Sequence, residues 1–316
     1  FPTRRSSDLE HYFKASSADI RTKRQVIDAN KHLYPISAMC RILGLSRQSY
    51  YYQSKPKKDE SELEEVVAEE FIRSRKAYGS RKIKKALSKR GIQISRRKIS
   101  RIMKNRGLKS SYTVAYFKVH HSTCNEAKTT NVLNRKFLRD NPLEAIVTDL
   151  TYVRVGKKWN YVCFILDLFN REILGYSCGE HKDAVLVKKA FSRIKQPLTE
   201  VEIFHTDRGK EFDNQAIDEL LTTFDINRSL SHKGCPFDNA VAESTYKSLK
   251  VEFVYQYTFE TLQQLDLELF DYVNWWNHLR LHGTLGYETP VGYRNQRLAQ
   301  RILDNELGCA NASEAV

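Results

Sequence analysis

No run of about 18 or more consecutive apolar residues occurs in the sequence, so nothing in it reads as a membrane-spanning helix. No apolar signal peptide is present either. Cysteine is sparse and scattered: Cys40, Cys124, Cys163, Cys178, Cys235 and Cys309 form no CxxC pair. That argues against a disulfide framework or a structural zinc site, and it fits a reducing, cytoplasmic setting. His120, His121 and Cys124 make half of a zinc pattern without a second half, so no metal is assigned there. An initiating Met is also missing, and Phe1–Leu9 reads as a translated sequencing adapter. Residues 1–9 are set aside as an assembly artefact, with the natural start expected to be absent.

The most informative absence is local. Between Phe71 and Ser110 there are 16 Lys or Arg residues and no Asp or Glu, in a chain whose net charge is +14. The remainder therefore stands at −2, and all of the excess positive charge lies in one segment. Such a concentration is the electrostatic footprint of a nucleic-acid-binding module, whereas a basic total spread evenly would decide little.

What is present is ordinary in bulk. The 316 residues are 41% hydrophobic and 28% charged, enough for one sizeable core with one or two small modules. Residues 10–54 read as a small helical unit: Ile36–Gly44 has helical apolar spacing, and Ser46 caps a polar helix opening at Arg47, a helix-turn-helix signal. A polar linker follows at Gln53–Lys58. Residues 61–110 repeat the logic, with Leu63, Val66, Val67 and Phe71 on one helix and Ile83 and Leu87 on a second. A third, capped by Ser95, turns Ile99, Ile102 and Met103 inward. Arg96, Arg97, Lys98 and Arg101 are left on its outer face, where a recognition helix meets DNA; the alternative is a solvated basic face.

Residues 111–141 read as a connector. Strands are expected over Ala145–Val153, Trp159–Phe169, Glu172–Cys178, Val201–His205 and Asn227–Ser231. Helices are expected over Ala184–Lys195, Asn214–Phe224, Asn239–Tyr257 and Thr261–Leu279. Three strands in succession, then alternating helices and strands, predict an α/β fold: a mixed sheet with helices on both faces, spanning residues 142–295. Residues 296–316 are expected to be a tail.

Three acids stand out by position. Asp149 interrupts an apolar strand, which is expensive unless the charge is paired or metal-bound. Asp207 follows a strand at its C-terminal end, where open sheets place their chemistry. Glu243 lies one turn into a helix that Asp238 can cap. Two acids on neighbouring strands and a third on a facing helix can converge on a hard cation such as Mg²⁺. The interval from Asp207 to Glu243 is uninformative alone, but its surroundings are distinctive: His205-Thr-Asp-Arg-Gly-Lys-Glu-Phe212, and Gly234-Cys-Pro-Phe-Asp-Asn-Ala240 ahead of Glu243. Glu243, Lys247 and Lys250 stand at i, i+4 and i+7, on one helix face.

On these motifs, together with Thr148-Asp-Leu-Thr-Tyr152, Tyr78-Gly-Ser-Arg-Lys-Ile83 and Tyr272–Gly286, the sequence resembles the OrfB-type insertion-sequence transposases of the IS-three family. These lie within the retroviral-integrase-like DDE superfamily, and the resemblance covers roughly residues 30–295. It implies an RNase H-like core behind helix-turn-helix modules. It also implies metal-dependent DNA strand cleavage and strand transfer at insertion-sequence ends, by a homo-oligomer on DNA. Asp149 would bridge two Mg²⁺ or Mn²⁺ ions, with Asp207 on one and Glu243 on the other. Lys250, Lys247 and Arg208 become DNA-contact candidates. His205 is expected to orient a carboxylate or DNA, and Trp275 and Trp276 to be core residues. For Asn277, Arg280 and His282, DNA contact and structural hydrogen bonding stay open. Lys210 and Glu211 replace the small or amide residues of many relatives. The zinc module of retroviral integrases and the upstream leucine zipper of full-length fused transposases are not seen. Two other readings are a catalytically inactive transposase-derived DNA-binding regulator, which three intact acids disfavour, and an RNase H-like nuclease on RNA–DNA hybrids. The helical modules argue against the latter, since they suit B-form DNA.

Overall fold

The computed structural model describes residues 19–52, 60–113, 132–232 and 236–313, without the side chains of 236 and 306–313. The set-aside start, the linker at 53–58, most of the expected connector and Gly234 therefore lie outside the described residues. The chain divides into two compact units, Phe1–Glu60 and Ser61–Val316.

The first unit contains α1 (Ile20–Asn30), α2 (Ile36–Ile42) and α3 (Arg47–Tyr51). Asp19 caps α1 by accepting from the Thr22 amide at 2.8 Å, and Ser46 caps α3 through Ser49 at 2.9 Å. Ile27, Met39, Cys40, Leu43 and Leu45 form its small core.

In the second unit residues 61–110 form α4 (Ser61–Arg73) and, within the basic segment, α5 (Ser80–Lys89) and α6 (Arg96–Asn105). Val67, Phe71, Ile83, Leu87, Ile99 and Ile102 are buried between them. Ser95 caps α6 as the sequence predicts, accepting from the Lys98 amide at 3.2 Å. The sheet follows: β1 (Ala145–Val155), β2 (Lys158–Asp167), β3 (Ile173–Gly179), β4 (Ile203–Thr206) and β5 (Asn227–Leu230), in spatial order β3-β2-β1-β4-β5. β1, β2 and β3 are antiparallel neighbours, while β4 runs parallel to β1 and β5 parallel to β4. Strand alternation sends Ile146, Cys163, Ile165 and Phe204 into a core shared with α7 (Ala184–Phe191) and α8 (Gln215–Thr223). It sends Val147, Phe164 and Leu166 to the other face, against α9 (Ala240–Glu252) and α10 (Leu262–His278). This is the mixed sheet with helices on both faces that the pattern of elements implies. The expected tail differs: Pro290–Ser313 is a 24-residue helix, α11. Pro290 suits a first helical turn, and only Gly292 and Gly308 interrupt an otherwise good helix-forming run.

The basic helices are bolted to the sheet domain through polar groups that the sequence leaves undecided. Glu252, the last residue of α9, has no exposed surface and accepts from Arg280 Nε at 2.8 Å and from a terminal Arg280 nitrogen at 2.7 Å. Tyr112, just past α6, donates to the same carboxylate at 2.6 Å, and Tyr272 donates at 3.1 Å. Burial first, then the Glu252 charge, pushes the Tyr112 hydroxyl up to about 12. The Arg280 guanidinium also lies 4.3 Å from the Trp276 ring centre. Tyr78 accepts from the Leu281 amide at 2.6 Å. Arg280 and Asn277 are thus structural, Asn277 pairing with both backbone groups of Ile173 at 2.9 Å. His282 is buried edge-on against Trp276, and Trp275 and Trp276 are core residues as expected.

A buried pair of this kind is costly to break and cheaper to replace outright. Glu252→Ala, which strands the Arg280 charge, should lower unfolding stability by about 3–5 kcal/mol in urea titrations. Glu252→Leu combined with Arg280→Met should lose far less. Equal losses in the two proteins would show that packing, not the unpaired charge, sets the cost.

Candidate active site

Parallel pairing of β1 with β4 sets Val147 opposite His205. Two residues further along each strand stand Asp149 and Asp207, so the register brings these acids level as the strands end their pairing. Both are half-buried. Each carboxylate is braced locally: Asp149 accepts from the Leu150 amide at 2.7 Å and Asp207 from the Gly209 amide at 2.9 Å. Glu243 arrives from the facing helix. Asn239, Glu243 and Tyr246 share one face of α9 at i, i+4 and i+7. Asn239 donates to the Thr148 carbonyl at 3.1 Å, and the Tyr246 hydroxyl donates to the Asp149 carbonyl. The same hydroxyl accepts from the Phe164 amide at 2.7 Å, and its ring stacks on Phe164. Phe164 is the β2 partner of Asp149. Tyr246 therefore sits inside the β1–β2 ladder at Asp149 and fixes the helix bearing Glu243 to that residue.

The electrostatics register this crowding. Burial, together with the charges of Asp207 and Glu243, raises the Asp149 carboxyl to about 7, against the Leu150 amide and Lys182, which pull it down. Partial desolvation raises Glu243 as well. Lys182, in the loop before α7, offsets some of the negative charge. Its ammonium lies 2.7 Å from Glu211, and the charges of Glu211, Asp207 and Asp149 raise its pKa against the pull of burial. Glu211 is itself buried, and its carboxylate folds over Gly209, where an added Cβ would meet it at 2.2 Å. A side chain at 209 would have to push the Glu211 carboxylate aside. Among the described residues, no three His, Cys, Asp or Glu side chains already form a metal cage.

Other sequence expectations need correction. Asp238 does not cap α9. It is fully buried, accepting from Arg135 at 2.6 Å and from the His232 ring at 2.7 Å, and Asn239 occupies the cap position without a capping bond. The His232 amide and Arg135 hold the Asp238 carboxyl low despite its burial. His205 orients no carboxylate: its ring is buried between Ser229, at 2.9 Å, and Ser231, at 3.1 Å. Burial lowers it to about 4, so it is neutral near pH 7. Arg208 is exposed and braces the Ser231 carbonyl at 3.0 Å. Arg96, Arg97 and Arg101 are exposed on α6 and Lys98 is half-buried there, on an element separate from the carboxylates. Lys247 is exposed on α9, whereas Lys250 lies 4.8 Å from the Tyr152 ring centre. Tyr246 could have been found in the sequence from its helical spacing to Glu243. Lys182 could not, because only the fold brings its loop to the carboxylates.

Comparisons with known proteins agree with this layout. Residues 139–236 and 243–298 match families described as integrase core domain, and residues 57–116 match an HTH-like domain. The insertion element IS600 uncharacterized 31 kDa protein of Shigella sonnei is 30% identical over 82% of this chain and 98% of its own length. The putative transposase InsK for insertion sequence element IS150 of Escherichia coli is 28% identical over 88% of this chain and all of its own length. Transposase InsF for insertion sequence IS3A, also from E. coli, is 27% identical over 86% and 98%.

Two measurements probe the geometry. Tyr246→Phe leaves the buried Phe164 amide without its acceptor and should cost about 1–3 kcal/mol in urea unfolding. An unchanged midpoint would mean that the ladder closes without the hydroxyl. Asp149, raised in the folded state, contributes stability that is full below its unfolded pKa of about 4 and is lost as pH rises to about 7. In metal-free buffer, Asp149→Asn should therefore be more stable than the unsubstituted protein at about pH 8. The gain should be on the order of 1–2 kcal/mol, allowing for solvent screening, and shrink toward pH 4. A gain independent of pH would refute the titration of this group as its source.

Proposed function

The chain belongs to the insertion-sequence transposases built on an integrase core domain, and from that membership we propose that it is a DDE enzyme cutting and joining DNA with Asp149, Asp207 and Glu243. The observation that carries this reading is the register of β1 with β4, together with the clamp of α9 on β1 at Asn239 and Tyr246. Asp149 and Asp207 stand level there, and burial, then the charges of Asp207 and Glu243, raise the Asp149 carboxyl to about 7.

The donor set fits divalent metal. It offers carboxylate oxygens only, crowded enough to repel one another and only partly offset by Lys182, which suits Mg²⁺ or Mn²⁺ better than a softer ion. Asp149 would hold two ions, with Asp207 on one and Glu243 on the other. Bound ions supply Lewis-acid charge at phosphorus and lower the pKa of an attacking water or DNA 3′-hydroxyl. The chain's own residues do the positioning. The Leu150 and Gly209 amides aim the two aspartates, and Tyr246 and Asn239 hold Glu243's helix at a fixed depth. Lys247 and, about a turn further from the acids, Lys250 extend from Glu243 along α9 to take successive phosphates of the strand being cut. His205, neutral and held by two serines, is no general base. The exposed arginines of α6 bind duplex DNA in the element's ends, with Arg208 nearer the cut. The enzyme works as a homo-oligomer on DNA in the bacterial cytoplasm, bound at the nucleoid. No helix among the described residues is long and apolar enough to cross a membrane.

Glu243→Gln should abolish Mg²⁺- or Mn²⁺-dependent cleavage and strand transfer on DNA carrying the element's ends, while gel-shift binding of the same DNA persists. Equal product from both proteins would remove Glu243 from the site. Binding without product from either would assign the chain to a DNA-binding regulator.

A further inference from the structure

Tyr152 and Trp159 meet edge to face across the β1–β2 hairpin, their ring centres 5.1 Å apart. Both are more than half exposed, at 55% and 56%, although large aromatic rings are usually taken into a core. Of the three tryptophans, the other two, Trp275 and Trp276, are buried. Pairing sets Tyr152 opposite Tyr161 and Arg154 opposite Trp159, which puts these four side chains on one face of the hairpin. The Lys250 ammonium lies 4.8 Å from the Tyr152 ring centre, and Arg154, Lys157 and Lys158 are exposed nearby. No acid occurs between Leu150 and Asn160. The turn is pinned: Gly156 adopts a left-handed φ of 55°, and its amide donates to the Phe259 carbonyl at 2.7 Å.

The patch also has a fixed relation to the carboxylates. Tyr152 lies three residues beyond Asp149 on one strand, roughly 10 Å away along the backbone and on the opposite face, so a nucleic-acid strand would pass from one to the other around the edge of β1. Lys250 lies seven residues beyond Glu243 on one helix, again roughly 10 Å. β1 pairs with β4 only through Val147, and beyond Asp149 the next backbone partner is Phe259, bridged at Val155. The route from the acids to the rings is not closed off by a neighbouring strand. Exposed π faces combined with cations and no acids suit a polyanion with planar groups. Duplex DNA keeps its bases stacked on one another, so the matching ligand is a strand with unpaired bases.

We propose that Tyr152, Trp159 and Lys250 form a stacking platform for unpaired nucleotides, roughly three stacked nucleotides from the bond being cut. Bases lie on the rings, while Lys250 and Arg154 take the phosphates between them. The inference rests on the DNA-processing reading above and adds a requirement for locally opened DNA.

The test uses the intact chain in a Glu243→Gln background, so that binding is measured without turnover. The probes are a labelled duplex ending in a short oligothymidine tail and the same duplex with a blunt end. The tailed duplex should bind more tightly. Trp159→Ala and Tyr152→Ala should each weaken the tailed duplex roughly 5- to 100-fold and leave the blunt one nearly unchanged, with Trp159→Phe restoring most of the loss. In the parent protein, iodide should quench the Trp159 emission, and tailed DNA should protect it. Equal binding of tailed and blunt duplex by parent and alanine variants would overturn the platform and leave the DNA reading standing. Failure of the parent to bind either duplex would overturn both. Protection of Trp159 that depends on protein concentration and not on DNA would assign the rings to contact with a second copy instead.

Discussion

Helix α9 pressed against β1 at Asp149 is the contact on which the rest of the molecule depends. A carboxylate in the middle of a buried strand is unfavourable, and two more acids beside it make it worse. The fold holds them together by fixing backbone. Asn239 bonds to the Thr148 carbonyl, and the Tyr246 hydroxyl joins Asp149 and Phe164 across the ladder. Burial first, and then the charges of Asp207 and Glu243, leave the Asp149 carboxyl raised. A proposed metal site of this kind trades stability for function in the manner expected of an active centre.

The two ends of α9 face different neighbours. Its first turn carries Glu243 toward the carboxylates, and its last residue, Glu252, is buried beneath Arg280 and Tyr112. Tyr112 follows directly on the basic helical segment, so one helix of 13 residues joins the proposed chemistry to the module proposed to grip DNA. Arg280 stacked on Trp276, and the hydrogen bond from Leu281 to Tyr78, complete the joint. A charge pair with no exposed surface on the acid tolerates little variation in geometry, which keeps that joint in one arrangement.

Much of this was readable in advance because its signals are local. Helix periods, the Ser46 and Ser95 caps and the strand alternation each depend on neighbours a few residues away, and all appear in the structure. Misreadings came where a long-range partner overrode a local preference. Asp238 has the right residue type and spacing to cap a helix, yet Arg135 and His232 capture it. His205 beside Asp207 looks like a helper of that acid, but parallel pairing with β5 turns its ring toward Ser229 and Ser231. The last helix has no local apolar signal, since its sequence lacks a strong apolar stripe beyond Leu298, Ile302 and Leu303, all of them exposed.

The sequence by itself determined which residue types were available: three isolated acids in distinctive surroundings, one acid-free basic segment, and a succession of strands and helices that admits few topologies. Those are properties of composition and short-range spacing, and burial and hydrogen bonding act on them directly. Tertiary structure alone decided what faces what. The level of Asp149 with Asp207, the insertion of Tyr246 into the ladder, the arrival of Lys182 and Glu211, and the exposure of Trp159 while Trp275 and Trp276 are buried all arise from contacts between distant segments. Chain closure over such distances is set by the packing of the whole core, and no local pattern encodes it.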